Sequence, residues 1–390
     1  MAEPKALTGN DAAARAFRQI DPDVVAAYPI TPQTELMHAF AEDVAQGRVG
    51  TEFVRVESEH SAQSAVLGAS LAGARCCTAT SSAGLALMWE VLYVASSCRC
   101  PILMVVVNRA LSAPINIHCD HSDSMGARDS GWIQLYSENV QEAYDNVVQG
   151  LRIAEDLEVR LPVMVCMDGF ILSHTVEPLE LLPDREVRSF VGAYEPEHSL
   201  LDVDDPWTFG PLALPDAYYE FKARQMDAMD RALEAVPRVG ASFGKVSGRD
   251  YGLLEPYRCE DAEAILVGLG SAMGTVKEAV DSLREEGVAA GALKVRTFRP
   301  FPAAVLSEAL DTGAEVGVLD RAVSFGLGGP LFHEIRSACS IPLPPGTSFI
   351  YGLGGRDLPV ERVEGCFSLL LERKKQARSW TEVRRVGLAE

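Results

Sequence analysis

Apolar residues come along this chain in short unbroken runs, and between the runs they recur at helical spacing. Runs at 24–28, 53–56, 76–80, 102–107 and 163–167 predict strands. The segments 11–19 (with Asn10 as cap), 35–46, 61–74, 85–95 and 142–156 predict helices. Strands that read as continuous apolar runs and alternate with helices predict a parallel sheet covered on both faces. Ligands bind such sheets at the carboxyl ends of the strands. The exit loops 28–32, 56–60, 81–84 and 108–128 should therefore share one rim. That rim would gather Thr31, Glu59 and Arg109.

The pattern breaks from 174 to 216, where prolines recur at 178, 183, 196, 206, 211 and 215. This predicts an ordered linker draped over the surface. A helix is expected over 219–236 and a polar stretch to 261. Strands at 264–268, 289–295, 316–319 and 349–351, with helices at 275–286 and 331–338, predict a second, smaller α/β unit. The expected organisation is an α/β domain over 1–175, a Pro-rich linker plus helix over 176–258, a second α/β domain over 259–373, and a charged tail over 374–390.

Composition narrows the classes. At 390 residues the chain is long enough for two or three domains, each with a full core. The formal charge of −20 disfavours nucleic acid, since no basic stripe exists to displace counterions. No apolar stretch reaches the roughly 20 residues that cross a bilayer, and residues 1–8 lack a secretory apolar core. The expected location is the cytoplasm. Nine cysteines, an odd number, fit a reducing compartment. Cys76-Cys77 and Cys98-Arg-Cys100 match no zinc or iron–sulfur spacing and read as core or strand-entry thiols.

Candidate chemistry begins at Glu57-Ser-Glu-His60, where a strand turns into a helix. Glu59 at such a corner can share a proton with a ring nitrogen of a bound heterocycle. Taken alone, the corner fits better an acid that caps the helix through its dipole. The long loop holding His118, Cys119, Asp120, His121 and Asp123 invites a metal reading. Internal hydrogen bonds that shape the loop are the better account, and no metal is assigned. Gly268-x-Gly270-x-x-x-Gly274 is one residue too long for a dinucleotide fingerprint and reads as a turn. Gly326-Leu-Gly-Gly329 and Gly352-Leu-Gly-Gly355 present amides to an anion or form interface turns, with the interface reading preferred. No P-loop or Gly-x-Ser-x-Gly elbow occurs.

Several stretches together resemble one family. Tyr28-Pro-Ile-Thr-Pro32, Glu57-Ser-Glu-His60, Thr80-Ser-Ser-Ala-Gly84, Asn108-Arg-Ala-Leu-Ser112 and Arg128-Asp-Ser-Gly-Trp132 are similar to the alpha chain of 2-oxoacid:ferredoxin oxidoreductases. Phe298-Arg-Pro-Phe-Pro302, Leu319-Asp-Arg321, Ser324-Phe-Gly326 and Gly352-Leu-Gly-Gly-Arg-Asp357 resemble its second domain, nearest the pyruvate branch of separate-subunit enzymes. The resemblance implies an α/β fold: a parallel-sheet, pyrimidine-binding domain for thiamine diphosphate, then a smaller transketolase C-terminal-like α/β domain. It implies that Glu59 is catalytic and protonates the ring nitrogen, that Pro29 and Ser82 join Glu59 in holding the cofactor, and that Thr31 and Arg109 hold the substrate carboxylate. A planar guanidinium suits that last task.

The implied reaction is oxidative decarboxylation of a 2-oxoacid, pyruvate by default, to acyl-CoA and CO2, with coenzyme A as co-substrate and electrons passed to ferredoxin. An aromatic or branched 2-oxoacid such as phenylglyoxylate, or oxalate, is the alternative substrate. A non-catalytic assembly subunit is the alternative role. No Gly-Asp-Gly start with a downstream Asn is present, so the diphosphate and Mg2+ fall to a beta subunit. Iron–sulfur clusters fall to partner chains, including a ferredoxin-like delta subunit beside a gamma subunit, in a dimer of heteromers. The turn here reads Ser-Ser-Ala-Gly84 where a second glycine is common in the family.

Overall fold

The computed structural model describes residues 3–339, 341, 343, 347–375 and 386–387. The chain opens with β1 (Glu3–Leu7), α1 (Gly9–Ile20), β2 (Val24–Ala27), α2 (Thr34–Ala45), β3 (Glu52–Arg55), α3 (Glu59–Leu71) and β4 (Cys76–Thr80). It continues through α4 (Ser82–Leu87), α5 (Trp89–Ser97), β5 (Leu103–Asn108), α6 (Ser122–Gly126), β6 (Ile133–Tyr136), α7 (Val140–Ala154) and β7 (Val163–Asp168). After β8 (Glu177–Leu181), α8 (Asp184–Val191) and the long α9 (Tyr218–Ser247) come β9 (Leu254–Tyr257), β10 (Ala264–Gly268), α10 (Ala272–Glu285), β11 (Ala290–Val295) and β12 (Thr297–Arg299). The last elements are α11 (Ala303–Leu310), β13 (Glu315–Asp320), α12 (Pro330–Ala338), β14 (Ser348–Ile350), α13 (Val360–Lys375) and β15 (Val386–Gly387).

The first sheet runs β12-β6-β7-β5-β4-β2-β3, parallel from β6 to β3. Its central strands β4, β5 and β7 are buried along their whole length, so both faces demand apolar residues. Edge strand β3 is half-exposed. The second sheet runs β15-β14-β13-β10-β11-β9, with only β9 antiparallel to its neighbour. The parallel-sheet α/β architecture expected for both units is present. Strand β12 leaves the second unit and adds antiparallel to β6 of the first. One apolar core runs across that seam, joining Met104, Trp132 and Cys166 to Val267, Leu293 and Phe298.

The stretch 174–216, expected as a draped linker, carries β8 and α8. β8 pairs antiparallel with β1. Leu179, Leu181, Val187 and Phe190 pack into the first core with Ala232, Val236 and Phe243 of α9. The prolines hid this: Pro178 sits within β8, on a two-stranded ribbon where a missing N–H is tolerated. Helix α9 runs on through Pro237 to Ser247, past the expected end. Of the charged tail, 374–390, only residues 374–375 and 386–387 lie within the described residues. Among the described residues no helix is long and apolar enough to cross a membrane.

The glycine turns serve packing. Asp320 accepts N–H groups from Leu331 (2.7 Å) and Phe332 (3.1 Å), so a carboxylate already fills the start of α12. Gly329 is needed there, because a Cβ would stand 1.9 Å from Asp320 Oδ2. Burial pushes the Asp320 carboxyl up to about 7, although both N–H groups pull it down. The Gly352–Gly355 turn meets the first unit: Asn116 Nδ2 donates to the Gly354 carbonyl at 3.0 Å, and a Cβ on Gly355 would stand 2.3 Å from His118 Cβ. The interface reading of that motif describes what it does.

Candidate functional site

Because β2, β3, β4, β5 and β7 run parallel, their exit loops do share one rim. Glu59 stands there as the first residue of α3. It is not the cap. Ser58 takes that place, its hydroxyl accepting from Ser61 N–H at 3.2 Å. The Glu59 side chain is buried at 7 % exposure, and its carboxylate makes no hydrogen bond or ion pair among the described residues. Gly84 of α4 lies against it: a Cβ there would stand 2.8 Å from Glu59 Oε1 and 2.5 Å from Thr80 Oγ1. Buried polar atoms without partners collect around this corner. They are Thr80 Oγ1, Ser81 Oγ and both amide atoms of Gln63, one helical turn on from Glu59. Four of the thirteen such atoms among the described residues lie here, and water or a bound group would complete them. Glu57, two residues earlier, is exposed and bound by the Ser61 hydroxyl at 2.6 Å, which lowers its carboxyl from the ordinary value.

Thr31 and Arg109 meet directly. Arg109 Nη1 donates to the Thr31 carbonyl at 2.9 Å and Nε to the Asn116 carbonyl at 3.1 Å. The guanidinium is thereby fixed from two sides, while Nη2 makes no hydrogen bond among the described residues. Thr31 and Pro29 are exposed on the same loop. Ser82 is fully buried and both its polar groups are occupied. Its N–H donates to Asp123 Oδ2 (2.9 Å) and its hydroxyl to the Ala110 carbonyl (2.7 Å). It contributes shape and position.

The loop after Arg109 is held by its own polar residues, as expected. Asp120 accepts from the Ser122 N–H at 2.9 Å. His118 faces the Phe170 ring at 4.8 Å. Asp123 accepts four N–H groups: Ser82, Arg109, Ser124 and the Asn108 amide. Burial pushes its carboxyl up to about 6 even so.

Next to the rim lies a closed ionic junction between the two units. Asp168, at the end of β7, accepts from His121 Nε2 (2.7 Å), Arg321 Nη1 (2.8 Å), the Ser271 N–H (3.2 Å) and the Ser271 hydroxyl. Burial works against its charge, yet the His121 ring and the Arg321 guanidinium hold the carboxyl below the usual carboxylate range. Ser271 belongs to the Gly268–Gly274 turn, so that turn docks one unit on the other. Cys119, His121 and Asp168 have ligand atoms within 4.8 Å of one another. The neighbouring guanidinium occupies the carboxylate and would repel a cation. Glu138, Glu142 and Glu255 form a similar group, already filled by the ammonium groups of Lys294 and Lys277. All nine cysteines are free thiols.

Reading the sequence alone misses Gln63, Thr80 and Asp123. Gln63 sits in a helix of small residues and carries no motif, and Thr80 opens the Thr80–Gly84 stretch without anything that singles out its hydroxyl. Asp123 lies in the polar loop for which internal hydrogen bonds are expected, but the sequence does not show that it also accepts from Ser82 on a different loop.

Two family models match the chain. "Pyruvate flavodoxin/ferredoxin oxidoreductase, thiamine diP-bdg" covers residues 15–240, and "Pyruvate:ferredoxin oxidoreductase core domain II" covers 262–363. Pyruvate synthase subunit PorA of Thermotoga maritima is 55% identical over 367 residues, which is 94% of each chain. Ketoisovalerate oxidoreductase subunit VorA of Pyrococcus horikoshii is 45% identical over 363 residues, 92% of each chain. Among solved structures, the fold matches 2-oxoglutarate:ferredoxin oxidoreductase from Magnetococcus marinus, solved with 2-oxoglutarate, coenzyme A and succinyl-CoA. The TM-score is 0.76 at 24% identity, covering 94% of this chain and 65% of that one. The chain belongs to the pyruvate:ferredoxin oxidoreductase family, as an alpha subunit carrying the thiamine diphosphate-binding domain and core domain II.

Proposed function

We propose that this chain supplies the pyrimidine side of a thiamine diphosphate site and the carboxylate grip for a 2-oxoacid, pyruvate first. The observation that carries the proposal is Glu59, 7 % exposed and with a carboxylate that makes no hydrogen bond among the described residues, beside buried polar atoms that likewise have none. These residues fit an aminopyrimidine. Glu59 would hold and return a proton at a ring nitrogen, and the Gln63 amide, Thr80 and Ser81 hydroxyls offer donors and acceptors at its edge. Gly84, lacking a side chain, lets a flat ring and the carboxylate approach closely. When bound, the cofactor supplies a carbon nucleophile and an electron sink for decarboxylation. Nothing at the corner fits a diphosphate with Mg2+, which falls to a beta subunit.

On the substrate side, Arg109 offers Nη2 and Thr31 its hydroxyl to a carboxylate. The two bonds that tether Arg109 cut the freedom lost when substrate binds. The remaining parts of the reading are gamma and ferredoxin-like delta partners bearing iron–sulfur clusters, ferredoxin as acceptor, coenzyme A as acyl acceptor, a dimer of heteromers and a cytoplasmic location. The nine free thiols favour that location. Pyruvate leads because the 55% identical relative is named for it; the ketoisovalerate relative makes branched 2-oxoacids the second reading.

The test is coenzyme-A-dependent viologen reduction by the assembled complex across pyruvate, 2-ketoisovalerate, 2-oxoglutarate, phenylglyoxylate and oxalate. Pyruvate should give the highest kcat/KM. Arg109→Ala should raise its KM on the order of 10- to 100-fold, the worth of a hydrogen bond to a charged group. Glu59→Gln should assemble and turn over poorly. Full activity in Glu59→Gln would leave this chain as an assembly subunit.

A further inference from the structure

We propose that Asp123 is a positioning residue that ties the cofactor-facing corner to the substrate-facing arm, so that both are set by one carboxylate. The inference rests on the functional reading of Glu59 and Arg109 and extends it to a residue that touches neither ligand.

The bonds define the role. Asp123 Oδ2 accepts the N–H of Ser82 at 2.9 Å and the N–H of Arg109 at 3.0 Å. One oxygen atom thus joins the loop leaving β4 to the loop leaving β5. Its other oxygen accepts the Asn108 amide (2.8 Å) and the N–H of Ser124 (2.7 Å). Asn108 also donates to the Ser124 hydroxyl at 2.8 Å. A second strap runs alongside, from the Ser82 hydroxyl to the Ala110 carbonyl. Ser82 lies two residues before Gly84, whose missing Cβ makes room for Glu59. Ala110 follows Arg109. Beyond the β4–β5 pairing itself, the side-chain ties between the two exit loops are made by Ser82 and Asp123.

Backbone geometry agrees. Ser82 adopts φ +46°, a left-handed conformation that a residue with a Cβ holds only where its surroundings impose it. The bonds to Asp123 and Ala110 hold Ser82 on both its N–H and its hydroxyl. Reaction between a nucleophilic carbon and a substrate carbonyl tolerates little error; a misplacement of about 1 Å costs about 100-fold. A shared acceptor sets the separation of the two loops more tightly than two independent bonds would.

The test uses the reconstituted complex and two separate binding constants. Asp123→Ala should raise the Kd for thiamine diphosphate and the KM for pyruvate together, each about 3- to 10-fold, and lower kcat about 100-fold. Asp123→Asn should recover part of both, because its amide oxygen can face Ser82 and Arg109 while Asn108 turns its own amide; Asn108 Oδ1 has no partner at present. Asp120→Ala, in the same loop but bonded only to Ser122, should leave both constants unchanged. If Asp123→Ala does not assemble, Asp123→Asn carries the test: both constants still rise above wild type. Movement of one constant without the other, or of neither, overturns the proposal. If instead Glu59→Gln and Arg109→Ala leave turnover and KM intact, the functional reading has failed first.

Discussion

Two polar regions sit at the same end of the first sheet and are built on opposite terms. At the unit junction every charge is matched: Asp168 takes His121, Arg321 and both polar groups of Ser271. At the Glu59 corner several groups are unmatched among the described residues. The carboxylate is bare, and Gln63, Thr80 and Ser81 bury polar atoms with no partner. A buried donor or acceptor left unpaired costs about 1–3 kcal/mol. The saturated region braces the fold, and the unsaturated one is where the proposed cofactor would be received.

Substitutions sharpen the contrast, because each region should fail in its own way. Glu59→Gln should lower kcat by about 100- to 10,000-fold, the usual contribution of a positioned proton-transfer group, while the thermal unfolding midpoint of the complex stays put. A coincident fall in stability would make Glu59 a structural residue. Asp168→Ala should do the reverse. It leaves His121 and Arg321 buried without their carboxylate, and breaking a buried pair costs about 3–5 kcal/mol. The variant should unfold early in denaturant, with the fraction that does assemble keeping a near-normal KM. A normal unfolding curve for Asp168→Ala would erase the distinction.

Much of this was readable from the residue order, and the exceptions have causes. Buried strands such as β5 and β7 announce themselves because both faces demand apolar side chains. Strand β6 does not: it has four residues with Gln134 among them, whose Nε2 donates to the Ser124 carbonyl at 2.8 Å while its Oε1 has no partner among the described residues. Strand β12 is three residues long and exists only because it meets β6 from another unit. At the site, Glu59, Thr31 and Arg109 follow from sheet topology and from the family likeness. The Asp168–Arg321 pair spans 153 positions, and no local pattern reports such a partner. Orphaned atoms on Gln63 and Thr80 are a property of packing, invisible until the neighbours are known.

Gln63→Leu comes next in size and separates stability from activity in one residue. Leu is close to the amide in size and removes two buried atoms that bond to nothing among the described residues. The cofactor-free complex should gain stability, by about 1–3 kcal/mol at most. Thiamine diphosphate should then bind more weakly, since the ring edge loses its amide. A loss of stability would mean that Gln63 has a partner supplied by the assembled protein itself.

The smallest effect is expected two residues from the largest. Glu57 and Glu59 share a corner, a charge and a helix start, and neighbouring carboxylates are easily confused from sequence. Glu57 is exposed, and among the described residues its side-chain partner is the half-buried Ser61 hydroxyl. Glu57→Gln removes a charge that solvent already screens and keeps an acceptor for Ser61. Turnover, KM and the Kd for thiamine diphosphate should all stay within about twofold of wild type, as surface changes away from special features do. The same assay that registers a collapse in Glu59→Gln should barely register this one. A strong loss in Glu57→Gln would move the proton-transferring role out of the unsaturated corner and onto the surface, and the contrast between the two regions would no longer identify the site.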